Sequence, residues 1–256
     1  MTHDGRRRAI LAIDTATTHV VIATGTPEGV ADGASTWTAG YRHGETLLPT
    51  IGRFLGEQNI RRSRLVGIVV GTGPGAFTGL RVGIATAKGL AHGLGIPLVG
   101  VSTAEALLEA VEAADAALAA ADGLDLDVAP SVLLLPAGPS DRIVVRSGKR
   151  PVPLPAGEEP DLARGERLVA VDLEGRAPDD ALALGETART GLGQALLRAG
   201  AAKLAAIDAA ATGTPAAWGA IARPTSELET LVPDYVTLPR GVRATSGTVE
   251  WSRDPR

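Results

Sequence analysis

Asp14 is the first residue in this chain with the makings of a chemical site. It ends the apolar run Ala9-Ile10-Leu11-Ala12-Ile13 and is followed by the hydroxyls of Thr15, Thr17 and Thr18. A carboxylate at a strand end can hold a water on magnesium, and hydroxyls beside it can meet phosphate oxygens. The same residues also make an ordinary polar turn, with Asp14 bonded to nearby backbone. A second candidate is the turn Gly71-Thr72-Gly73-Pro74-Gly75 between an apolar run and a helix-period segment. Such turns can present backbone N–H groups to an anion at a helix N-terminus. This one continues Ala76-Phe77-Thr78, without the Lys-Ser/Thr pair of a P-loop, and its glycine spacing misses the dinucleotide fingerprint. Asp14, Thr15, Thr17, Gly73 and Gly75 therefore read as a degenerate nucleotide loop.

Other chemistries find little support. The histidines are His3, His19, His43 and His92, and no two stand four apart, so there is no helical metal motif. No Gly-x-Ser-x-Gly nucleophile turn occurs. The chain has no cysteine, which excludes disulfides, thiol catalysis and thiolate metal sites. We expect no catalytic residue, no metal site and no cofactor.

The 256 residues suffice for one large or two small domains, and 45% hydrophobic content is that of a globular protein. A net charge of −4 gives no global footprint for a phosphate backbone. The 3% aromatic share disfavours recognition of single-stranded nucleic acid by stacking. Arg6-Arg7-Arg8 precedes too short an apolar run for a signal peptide, and no run approaches a membrane span. The expectation is a soluble, cytoplasmic protein.

Positioning these residues calls for an α/β fold. Strands are expected at 9–14, 20–24 and within 30–38, joined by short turns as an antiparallel meander. A helix over about 45–58 carries Leu47, Leu48, Ile51, Phe54 and Leu55 as an apolar stripe, with Pro49 near its first turn. Then follow a strand at 66–70, the glycine turn, a helix over about 77–95, a strand at 97–101 and an alanine-rich helix from Ser102 to about Ala121. The second half is less regular. A hairpin is expected over 131–146, loop over 147–164, a strand at 168–171, and helices at 180–198 and 203–211. A short helix at 225–231 and an extended 233–236 complete it.

The helix over 77–95 carries Gly79, Gly83, Gly89 and Gly93, each costing about 1 kcal/mol relative to alanine in a helix interior. Gly79, Gly83 and Ala87 stand four apart and form a strip without bulk. The strip suits close packing on the chain's own sheet or neighbouring helix, or packing against a partner protein.

ILAIDTATT (10–18), HGETLLPTI (43–51), GTGPGAFTGLRVGIATAKGLA (71–91) and IPLVGVSTAEAL (96–107) resemble the TsaB (YeaZ) family. That family is a bacterial partner subunit in tRNA threonylcarbamoyladenosine synthesis. The resemblance covers about the first 110 residues, with a fainter echo in Pro233-Asp234-Tyr235-Val236. It implies an actin-like ATPase (RNase H-like) fold of two related halves with mixed sheets. The first half would be 1–104, with 215–243 returning to it, the second a divergent 105–214, and 244–256 a disordered tail. It also implies a non-catalytic subunit that binds a TsaD-type protein and a TsaE-type ATPase, meets tRNA only through the complex, and can form a homodimer. The two helices would form the contact, with Leu47, Leu48, Ile51, Gly79, Leu80, Gly83 and Ala87 at the partner interface. The family's second half usually opens on an Asp-Ala-Arg type signature, where this chain reads LLLPAGPSDRIVV. The competing readings are an actin-fold ATPase or small-molecule kinase using Asp14 and the glycine turn, and a glycoprotease-like peptidase.

Overall fold

A computed structural model describes residues 7–39, 43–121, 129–137, 140–173, 175–211, 227–234, 236, 242–245 and 248–251. The first sheet contains β1 (Ala9–Asp14), β2 (His19–Gly25), β3 (Ala31–Thr38), β4 (Leu65–Gly71) and β5 (Leu98–Val101) in the order β3-β2-β1-β4-β5. β1 pairs antiparallel with β2 and parallel with β4, so the sheet is mixed. Alternation decides the faces. Leu11 and Ile13 of β1 point to one core with Ile68 and Val70 of β4, while Ile10 and Ala12 point to another with Val69.

The helices α1 (His43–Glu57) and α2 (Phe77–Leu94) cover the outer face. Pro49 lies in the second turn of α1 rather than its first, on the solvent side. There its missing N–H leaves one helix carbonyl to water. The inner face is covered by α3 (Thr103–Ala121) and α4 (Glu186–Ala211), which separate it from the second sheet.

The second sheet holds β6 (Ser131–Pro136), β7 (Arg142–Val145), β8 (Val152–Leu154), β9 (Arg167–Ala170) and β10 (Leu182–Ala183) in the order β10-β9-β6-β7-β8. Read from β8, this is the first sheet again: antiparallel β6–β7–β8, then parallel β6–β9–β10. The fold is α/β, actin-like, with two related halves.

Three expectations change. β8 lies in the stretch expected to be loop; it is a short edge strand containing Pro153, which an edge tolerates. The two helices expected at 180–198 and 203–211 are one, α4, starting only at Glu186. Gly200 does not break it, because a Cβ there would overlap Val69, and the glycine lets the helix lie against the first sheet. Within the expected tail, β11 (Val242–Thr245) and β12 (Thr248–Trp251) pair antiparallel in register Thr245↔Thr248. Alternating polar and β-branched residues around a Ser-Gly step favour that hairpin.

Of the 225–231 helix, 225–226 fall outside the described residues. The rest is a single turn closed by the Leu231 N–H on the Glu227 carbonyl, 2.7 Å. Glu227 N–H bonds to Leu98 O (3.1 Å) and Asp234 N–H to Thr72 O (2.7 Å), so 227–234 runs beside β5. Tyr235 of the extended 233–236 stretch lies outside the described residues, as does 1–6 of the terminus.

Candidate functional site

Asp14 ends β1 at the centre of the first sheet and is 0% exposed. Its Oδ2 accepts the Thr103 hydroxyl at 2.6 Å, and its Oδ1 accepts the Ala16 N–H at 2.9 Å. The Thr103 oxygen in turn accepts the Gly73 N–H at 3.1 Å. The two loops close on each other through the Ala76 N–H and Ala16 O, 2.6 Å. The Thr15 hydroxyl donates to Gly79 O on α2 at 2.8 Å, and the Thr17 hydroxyl to His19 O at 3.0 Å. Gly73 and Pro74 are buried, and Gly75 sits against Ala16 O so closely that a Cβ would overlap it.

The glycines around Asp14 make this closure possible. A Cβ on Gly71 would overlap the Asp14 carboxylate, and one on Gly83 would overlap Thr15 Oγ1. The structure thus brings Asp14, Thr15, Gly73 and Gly75 together, with Thr17 at the turn's far side, but as donors and acceptors for one another. Burial raises the Asp14 carboxyl from 3.8 to about 6, against the opposing pull of its Thr103 and Ala16 hydrogen bonds. Among the described residues no group of three His, Cys, Asp or Glu side chains could hold a metal ion.

The expected partner interface is corrected. Leu47, Ile51, Gly79, Leu80, Gly83 and Ala87 are all buried within the chain. The strip Gly79-Gly83-Ala87 faces inward, where it receives Thr15 and the sheet. Of the seven, only Leu48 meets solvent, at 54% exposure. Periodicity located the apolar stripe of α1 correctly, but a stripe one residue too wide and a small-residue strip look alike from sequence whichever way they turn. The outer surface of the pair carries other glycines: Gly56 on α1, and Gly89 and Gly93 on α2, have open space where a Cβ would stand.

A second carboxylate, missed by sequence reasoning, joins the halves. Asp172 follows β9, with its side chain 1% exposed and its backbone left-handed at φ 51°. Its Oδ2 accepts the Thr18 N–H at 2.8 Å and the Thr18 hydroxyl at 2.7 Å. Its Oδ1 lies 3.0 Å from Arg189 Nη2 of α4 and 3.2 Å from His19 Nδ1. Burial alone would raise its pKa, but the Thr18 bonds and the charges of Arg189 and His19 together hold it below the usual carboxylate value. Thr18 and His19 stand more than 150 positions from Asp172, and the only signal in the sequence was an acid just past an apolar run.

Two mixed sheets of one strand order, enclosing a helical layer, define the actin-like class. The solved YeaZ of Pseudomonas aeruginosa superposes with a TM-score of 0.56 at 23% identity, covering 77% of this chain and 92% of that one. By sequence, the family model of the tRNA N6-adenosine threonylcarbamoyltransferase TsaD matches residues 37–138. An uncharacterized protein of Mycobacterium leprae is 42% identical over 107 residues, 38% of this chain and 28% of that one. The tRNA threonylcarbamoyladenosine biosynthesis protein TsaB of Escherichia coli is 37% identical over 94 residues, 37% of this chain and 40% of that one. Over part of its length the chain is thus similar to proteins of the TsaB (YeaZ) family. It spans less than half the length of the curated relatives it matches.

Proposed function

We propose that this chain is a non-catalytic partner subunit in the formation of N6-threonylcarbamoyladenosine in tRNA. It binds a TsaD-type transferase and, through that pair, a TsaE-type ATPase; it meets tRNA only through the complex and works in the cytoplasm. The sealed loop around Asp14, in a chain similar to TsaB over part of its length, is the observation that carries this reading. In support of it, the Asp14 carboxylate has no exposure and is held by Thr103 and Ala16, and Thr15 and Thr17 already give their hydrogens to backbone carbonyls. What remains available to such a subunit is surface.

The surface proposed is the outward side of α1 and α2, with Leu48 as its exposed apolar anchor. Gly56, Gly89 and Gly93 have no internal neighbour that would explain them, and Gly89, in the interior of α2, weakens its helix by about 1 kcal/mol relative to alanine. A closely approaching partner backbone supplies a reason. Leu47, Ile51, Gly79, Leu80, Gly83 and Ala87 then act beneath that surface, fixing the two helices on the sheet. A homodimer through the same face competes with the TsaD-type partner. The division into 1–104 with 215–243 returning, and 105–214, belongs to this proposal, supported by the bonds of 227–234 to β5 and Thr72.

Co-purification with a TsaD-type protein tests the reading. Leu48→Arg should abolish association while leaving thermal unfolding unchanged. Retained binding would remove the face from consideration. The purified chain alone should not turn over ATP; turnover abolished by Asp14→Ala would instead establish the kinase-like alternative.

A further inference from the structure

The contact around Asp172 has more donors than one carboxylate uses well. Oδ2 accepts both Thr18 hydrogen bonds and lies 3.5 Å from His19 Nδ1, but the guanidinium and the imidazole beside Oδ1 approach without hydrogen-bond alignment, leaving that oxygen unbonded. The backbones that carry the donors are held by bonds that do not involve Asp172. Thr18 is fixed by its carbonyl, which accepts the Ala39 N–H at 3.2 Å. His19 belongs to β2, and its Nε2 lies 3.2 Å from the Thr38 hydroxyl. Arg189 stands in the first turn of α4, its N–H bonded to Gly185 O at 3.0 Å. The carboxylate comes to Thr18 and His19 from the second half, on a residue held at φ 51°, a conformation few side chains other than Asp and Asn adopt.

We propose that Thr18, His19 and Arg189 form a built carboxylate-binding site between the two halves, and that Asp172 is its resident ligand. This differs from a surface ion pair, which disappears with either partner. Here removal of the carboxylate leaves a shaped vacancy with the Thr18 N–H and hydroxyl directed at it and the Arg189 guanidinium beside it. The near-complete burial of the Asp172 side chain limits the ligand to a small monocarboxylate, formate or acetate in size. A planar anion with two oxygens matches one oxygen facing Thr18 and the other facing Arg189 and His19, which a tetrahedral phosphate does not.

The test uses the full chain and thermal unfolding at constant ionic strength. In Asp172→Ala, sodium formate should raise Tm along a saturating curve. At about ten times the half-saturating concentration the gain should be roughly 3–6 °C. Wild type and Asp172→Asn, whose site stays filled, should show no saturable response, and sodium phosphate should not substitute for formate. Adding Arg189→Met to Asp172→Ala should remove the formate effect. An equal response in wild type, no response in Asp172→Ala, or failure of that variant to fold at any formate concentration would each overturn the proposal.

Discussion

The two halves carry the same five-stranded arrangement, yet each places its buried carboxylate on a different strand and treats it differently. In the first, the acid ends β1, where Gly71 of the neighbouring β4 leaves room for it. In the second, the equivalent of β1 ends in Pro136 and the acid follows β9, the equivalent of β4. Asp14 is bonded only by neutral groups and is pushed up to about 6; Asp172 faces a guanidinium and an imidazole and is held down. The outer layers differ as well. The first sheet is covered by α1 and α2, whereas between β8 and β9, and between β9 and β10, the second has only loops. Leu162, Ala177 and Ala181 are half-buried over its outer face. A cavity of 410 Å³ remains there, lined by Val144, Arg146, Leu154, Pro160 and Glu166 among others. Strand order alone thus specifies neither where a charge goes nor how well a sheet is covered.

Paired truncations would test the difference in cover most severely. Phe54→Ala, on the buried side of α1, should cost about 3–5 kcal/mol, while Leu162→Ala over the second sheet should cost about 1 kcal/mol, since only part of its side chain leaves water. Denaturant titration of both variants gives the two values, and similar losses would mean that loops cover a sheet as well as helices. Next in size is Gly83→Leu. It places atoms in the space of Thr15 and separates that hydroxyl from Gly79 O, so a loss of about 3 kcal/mol is expected. An unchanged unfolding curve would show that the strip faces outward after all.

The carboxylates themselves separate by pH. Because the native Asp14 value lies above 3.8, the folded state binds this proton more tightly than the unfolded chain. Its cost is therefore absent below about pH 4, grows from pH 4 to 6, and reaches about 3 kcal/mol above that. Asp14→Asn should recover up to about that much at pH 7 and flatten stability across that window. Asp172 has the opposite sign: its contribution is present above its ordinary value and is lost as pH falls through its lowered one. Unfolding free energies of wild type and Asp14→Asn from pH 4 to 8 would decide, and parallel curves would refute the assignment. The smallest effect belongs to Leu48→Arg, which should change stability by no more than about 0.5 kcal/mol.

Where the sequence was legible, short-range pattern coincided with the tertiary arrangement. β1, β2 and β4 are continuous β-branched or aliphatic runs, and α1 has a clear 3.6-residue stripe. The second half blurred because Pro153 masks β8 and Gly200 mimics a helix end, although its role is to meet Val69. The loop residues around Asp14 were identified, but whether they face a ligand or each other depends on Thr103, which arrives 89 positions later. The inward direction of the Gly79-Gly83-Ala87 strip was open for the same reason. The Asp172 contact showed locally only as an acid just past an apolar run.

The position of α4 has a consequence for biosynthesis. The first sheet is complete once Val101 has been made, but Val21, Ala23 and Val69 on its inner face pack with Leu192, Leu196 and Leu197 of α4. About 85 further residues must leave the ribosome before that helix begins, on the order of ten seconds at about 5–20 residues per second. During that interval an apolar sheet face of the nascent chain lacks the α4 part of its cover, so chaperone contact with this chain should be heaviest between completion of β5 and emergence of α4.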